Sequence, residues 1–147
     1  MKVNAMEEDA RNPLPRLKLA AGQRGFSTLI GPFYEIALEH GMRRALLLEP
    51  RHLSPAGVVQ GGVISSFGEF VLHRGIVDEV GEEPPMATVE LHCQFLAASF
   101  AQRWIYGEAQ VLRRTRSLVF AAGEIFDQRR RIALVSGIWK QIESGGE

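Results

Sequence analysis

Cysteine is nearly absent from this 147-residue sequence, and the one present, Cys93, can form neither an internal disulfide nor a cysteine pair for structural zinc. Such usage belongs to a reducing compartment. Net charge is absent too: 17 Lys and Arg balance 17 Asp and Glu. A dedicated nucleic-acid binder carries a basic excess, and a disordered chain is poorer in apolar residues than the 46% found here, so neither class is expected. No apolar run approaches the roughly 18 residues that span a bilayer, and residues 1–9 lack the apolar core of a signal peptide. The expectation is a cytoplasmic protein with no membrane partner. His40, His52 and His92 stand alone rather than at metal-ligand spacing, so neither a metal nor an organic cofactor is expected. There is no G-x-S-x-G elbow, no internal repeat and no low-complexity tract.

What is present suits a single domain large enough to bury a core. Residues 1–25 mix charges with Pro13, Pro15, Gly22 and Gly25 and predict a loosely ordered lead-in with at most one short helix. From Phe33 the period is two, interrupted at His40-Gly41 and resumed to Glu49, which predicts a hairpin. A loop follows over 50–60. Val63, Phe67, Phe70 and Val71 then recur at helical spacing, widened by Ile64 and Leu72, and predict a helix over 62–80 stopped by Gly81. Strand-like runs follow at 87–96, 103–113, 116–127 and 131–142. In the first, Val89, Leu91, Cys93 and Phe95 alternate with polar residues, which predicts one buried face. A helix between a hairpin and a four-strand meander is an α+β arrangement, with a curved antiparallel sheet of about six strands wrapped around the helix.

That helix carries a polar stripe. Ser65, Ser66, Glu69 and His73 share one side through spacings of three, four and seven. A carboxylate on a wrapped helix needs a partner, a pocket or a subunit contact, because burying it alone is costly. Ser66 and His73, about 10.5 Å apart along the axis, cannot be a nucleophile–base pair. At the helix start, Gly61 and Gly62 let a ligand carbonyl approach the unsatisfied N–H groups, as an oxyanion site requires, or else serve tight packing. A carboxylate two turns further in completes a parts list for acyl transfer.

The sequence resembles the hotdog-fold acyl-CoA thioesterases of the phenylacetate-degradation type. The resemblance rests on Phe26-x-x-Leu29-Ile30-Gly31, on His52-Leu53-Ser54-Pro55-Ala56-Gly57-Val58-Val59-Gln60-Gly61-Gly62, on Glu69, on Thr88-Val89-Glu90-Leu91 through Phe95-Leu96, and on Arg116-Ser117-Leu118 through Asp127. It implies a hotdog domain over 26–143, assembled as a homodimer and further as a dimer of dimers, that hydrolyses an acyl-thioester to a carboxylic acid and free coenzyme A. By the same resemblance Glu69 is the general base or nucleophile, the Gly61 N–H the oxyanion donor from the opposite subunit, and Thr88 a holder of the attacking water. Gln60 and Ser54 stand where the family usually has His and Asn. Gln60 can still donate a hydrogen bond but cannot titrate. Gly62, Ser65, Ser66 and His73 are the expected substrate-binding residues beside them. A hotdog hydratase and an acyl-CoA-binding protein with little turnover are the alternatives.

Trp104 and Tyr106 share one strand face and read as packing or as a substrate wall. Arg113, Arg114 and Arg116, with Arg129, Arg130 and Arg131, form two basic clusters at strand junctions, suited either to solvated hairpins or to the phosphates of coenzyme A. The resemblance favours Arg116 for the second role.

Overall fold

The structure, a computed structural model, describes residues 16–82 and 85–143. Its elements are β1 (Lys18–Leu19), α1 (Phe26–Ile30), β2 (Phe33–Leu38), β3 (Gly41–Leu48), a 3₁₀ turn (Pro50–His52), α2 (Gly61–Val80), β4 (Met86–Phe95), β5 (Arg103–Arg114), β6 (Leu118–Phe126) and β7 (Arg131–Gln141). The strands form one antiparallel sheet in the order β1-β2-β3-β5-β6-β7-β4, and α2 lies across its inner face. This is the α+β arrangement that the sequence predicts. The sheet begins ahead of Phe26, however, because Lys18 and Leu19 pair with Glu35 and Tyr34 and make a seventh strand. Residues 1–15 of the expected lead-in lie outside the described residues.

The expected four-strand meander is corrected to three. β5, β6 and β7 follow one another through tight turns, but β4 pairs with β7 at the far edge of the sheet and not with β5. Residues 96–102 make the crossing past the start of α2, anchored where Val59 N–H donates to the Ser99 carbonyl and Gln102 N–H to the Leu48 carbonyl. Sequence periodicity identifies strands but not which strand is neighbour to which. A second correction lies within β4. A bulge between Thr88 and Glu90 breaks the alternation, so Thr88 and Leu91 turn toward the helix while Val89 is 60% exposed.

Strand alternation separates two apolar layers. Facing the helix, Phe33, Leu46, Leu48, Ile105, Val119, Ile125, Val135 and Trp139 pack with Val63, Ile64, Phe67, Val71, Leu72 and Ile76. The helix sits so close that a Cβ on Gly107 would fall 2.4 Å from Val71 Cγ2. On the other face, Ile36, Ala45, Tyr106 and Phe126 form a smaller cluster. Tyr34 and Trp104 meet edge to face there, 5.5 Å apart, so Trp104 and Tyr106 are packing residues remote from the helix. Cys93 is half-buried against the main core, and burial pushes its thiol pKa up.

Two adjacent arginines on β3 follow the same alternation. Arg44 points inward, 2% exposed, and donates to Glu35 across the hairpin and through both terminal nitrogens to Asp78 on α2, at 2.6 and 2.9 Å. Arg43 points outward to Glu108, at 2.7 Å, and lies over the rings of Tyr106 and Phe126. Among the described residues no helix is long and apolar enough to cross a membrane.

Candidate active site

The polar stripe of α2 meets a cavity of about 290 Å³. Ser66, Glu69 and His73 line one side. Thr88 and Met86 from β4, Trp139 from β7, Phe33 from β2 and Phe70 from α2 supply others, and α1 closes the cavity with Phe26, Ser27 and Ile30. Phe33 and Phe70 lie 4.4 Å apart between ring centres, so a polar strip is set in a largely aromatic chamber. The Thr88 hydroxyl donates to a Glu69 carboxylate oxygen at 2.6 Å. Glu69 forms no ion pair among the described residues, so its charge is oriented by a neutral donor and left to face the cavity.

His73 stands one turn beyond Glu69 in the same wall. Burial is the main cause that pushes its pKa below the ordinary value, with Arg74 acting in the same direction against Glu69 and Glu82. A neutral imidazole is the form favoured there at neutral pH. Ser65 and Ser66 both donate their hydroxyls to the Gly62 carbonyl, at 3.2 and 2.7 Å. Ser66 lines the cavity, whereas Ser65 is not among its lining residues.

Gly61 does not share this cavity. It opens on a separate groove of about 380 Å³ lined by Val59, Ile64, Phe95, Leu96, Ala97, Ala98 and Ser99. Gln60 precedes the helix in an extended conformation, its exposed side chain making no capping bond, and the Gly61 and Gly62 N–H groups have no partner within the helix. The missing side chain at Gly61 also has a packing cause: a Cβ there would meet the Phe95 ring at 3.2 Å. Ser54 forms the turn at the head of the loop, its N–H donating to Val58 and its carbonyl accepting from Gly57. Neither Ser54 nor Arg116, exposed between β5 and β6, lines the cavity or the groove.

Sequence reasoning passed over α1 and what holds it. The imidazole of His52, 2% exposed, accepts from the Glu49 N–H at Nδ1 and donates from Nε2 to the Ile30 carbonyl at 2.8 Å, a pattern that only the neutral ring makes. Burial depresses its pKa, the largest of several influences. An unfolded histidine takes up its proton first as pH falls, so the native state loses stability as pH drops below about 6.5 and keeps it fully above. His73 contributes in the same direction. We expect a lower urea midpoint at pH 5.5 than at pH 7.5, with part of the difference removed in His52→Gln; an unchanged pH dependence in that variant would assign the effect elsewhere.

Residues 56–134 match the sequence profile of the Thioesterase superfamily. A provisionally named esterase of Pseudomonas aeruginosa, PA0474, is 26% identical over 114 residues, covering 76% of this chain and 84% of that protein. Among solved structures, zebrafish thioesterase superfamily member 2 superimposes with a TM-score of 0.72 at 19% identity, covering 97% of this chain and 99% of that one. The BH2602 protein of Bacillus halodurans, solved with CoA, gives 0.73 at 14% identity, covering 97% and 92%. The E. coli PaaI protein of the phenylacetic acid degradation operon gives 0.67 at 17%, covering 78% and 86%. At such identities the likeness is one of fold, and that fold is the hotdog. With more than half of its length inside the matched profile, the chain belongs to the Thioesterase superfamily.

Proposed function

We propose that the protein hydrolyses acyl-coenzyme A thioesters to a carboxylic acid and free coenzyme A, at sites built from two copies of the chain. The observation that carries this reading is the separation of Glu69 from Gly61. Eight residues along one helix put them about 12 Å apart, too far to serve one carbonyl within a chain. They face different recesses, and each recess has what the other lacks: a carboxylate held by Thr88 in one, and in the other the N–H of Gly61, which has no partner within the helix.

A homodimer joining the two supplies a whole site twice. The long edge of β4 supports that assembly, because among the described residues its outer side is unpaired and Val89 and Phe95 are 60% and 54% exposed. In such a site the Gly61 N–H of one subunit, helped by the Gln60 amide, holds the thioester oxygen as it gains negative charge. Glu69 of the other subunit then takes a proton from water as the oxygen of that water bonds to the carbonyl carbon, or itself attacks to form an acyl–enzyme anhydride that a water then hydrolyses to the acid and free Glu69. The C–S bond breaks and the thiolate is protonated on leaving. Thr88 keeps the carboxylate aimed, and Ser66 and His73 line the acyl chamber. Roles for Gly62, Ser65, Ser54 and Arg116 depend on the second subunit, since none lines the Glu69 cavity within one chain. Arg116 is available to a coenzyme A phosphate, and the CoA bound in the Bacillus halodurans relative favours that ligand class here. A dimer of dimers is the larger assembly we propose.

Gln60 and Ser54, in place of the usual His and Asn, favour a second reading, an acyl-CoA-binding protein with little turnover. Thiol release measured across short, medium, long and aromatic acyl-CoAs separates the two. Hydrolysis expects catalytic release for part of the panel; saturable binding without release would establish the second reading instead.

A further inference from the structure

From the contacts of α1 we infer that Arg51 and His52 are positioning residues that set acyl-chain selectivity by fixing the movable wall of the cavity. The inference rests on the hydrolytic reading above. A five-residue helix is too short to be stable alone, and this one buries none of its residues and has no side-chain N-cap bond. Phe26 and Leu29 are largely exposed, yet Phe26 and Ile30 face the cavity. Within α1 only Ile30 packs, partly buried, against the main core, so apolar packing fixes this wall at a single residue.

Polar contacts from the 3₁₀ turn supply the rest. Three consecutive carbonyls at the end of α1 are occupied from outside: Leu29 and Gly31 by the guanidinium of Arg51, and Ile30 by the imidazole of His52. Arg51 is itself held by Glu49, at 2.8 and 2.9 Å. The fork of an arginine suits this task, because two carbonyls and a carboxylate need several donors in fixed directions. His52 also reaches the other recess, since its carbonyl accepts the N–H of Gln60, next to Gly61. One short turn thus braces the acyl wall and the loop before the oxyanion donor. The side chain of Arg51, the more exposed of the two, bonds to α1 and Glu49 and not to that loop.

The test is Arg51→Met, which keeps the aliphatic stem and removes every donor. Hydrogen exchange at residues 26–31 is expected to accelerate while exchange in α2 stays as in wild type. In thiol-release assays from acetyl- to decanoyl-CoA, KM is expected to rise about five- to tenfold for the chains that fill the cavity, with kcat within about twofold and acetyl-CoA little changed. Arg51→Lys, able to satisfy only part of the cluster, is expected to fall between. A non-hydrolysable acyl-CoA thioether titrated against Trp139 fluorescence gives the same selectivity without turnover. If wild type releases no thiol from any acyl-CoA, the hydrolytic reading fails, whereas exchange and the thioether titration still judge the wall. A uniform change across chain lengths, or faster exchange in α1 with selectivity untouched, would overturn the inference. If Arg51→Met does not fold, the lysine variant carries the same three measurements.

Discussion

Glu69→Ala is expected to slow acyl-CoA hydrolysis by about 10²- to 10⁴-fold, the range spanned by loss of a positioned base. The expectation follows from how little else in the cavity can take a proton. Thr88 is committed as a donor to Glu69, and Ser66 donates to a backbone carbonyl. His73, held toward its neutral form, is a weak base one turn further along. Glu69→Gln isolates the chemistry from the packing, because a glutamine keeps the volume and still accepts from Thr88 through its amide oxygen but cannot take up the proton. It is expected to lose nearly as much rate as the alanine variant while binding acyl-CoA almost normally. Either variant hydrolysing at the wild-type rate would remove Glu69 from the mechanism.

The second large effect is a recovery. Gly61→Pro deletes the proposed oxyanion donor while suiting the helix backbone, since proline is favoured at the first helical position and Gln60 already has the extended backbone that a residue before proline adopts; the half-exposed Phe95 ring, which a Cβ would meet at 3.2 Å, has to shift slightly to admit it. Loss of one such donor is worth about 10²- to 10³-fold in rate. When Gly61→Pro and Glu69→Gln subunits are mixed and allowed to exchange, each mixed dimer joins an intact Glu69 to an intact Gly61 at one of its sites. Activity is then expected to return to about a quarter of wild type for random pairing in a two-fold dimer. Mixed dimers that form and stay inactive would refute the division of the site between subunits.

Local pattern carried much of this molecule into view. The hairpin, α2 and the strand positions follow from period and from Gly and Pro punctuation, and the resemblance points to Glu69, Thr88 and Gly61 before any coordinates. What stayed hidden is what depends on distant residues. The displacement of β4 to the far edge has no signature in its own alternation, and the bulge that brings Thr88 to Glu69 reads in sequence as an unbroken strand. α1 is too short to announce itself by period, and its support comes from Arg51 and His52, 20 and 22 residues further along the chain. The burial of Arg44 has no signature in the hairpin itself, because its partner Asp78 lies 34 residues away.

Arg44 also has a consequence for how the chain avoids misfolding. Its direct cross-strand partner is Glu35, and both side chains face the helix. Sliding β2 against β3 by one residue would turn Glu35 to the opposite face and leave a buried guanidinium without one of its acceptors, besides inverting the apolar positions. A hairpin of aliphatic residues alone would discriminate against that slip only through packing. Here a desolvated charge does so as well, so an incorrectly aligned hairpin cannot dock α2 cheaply and remains free to realign.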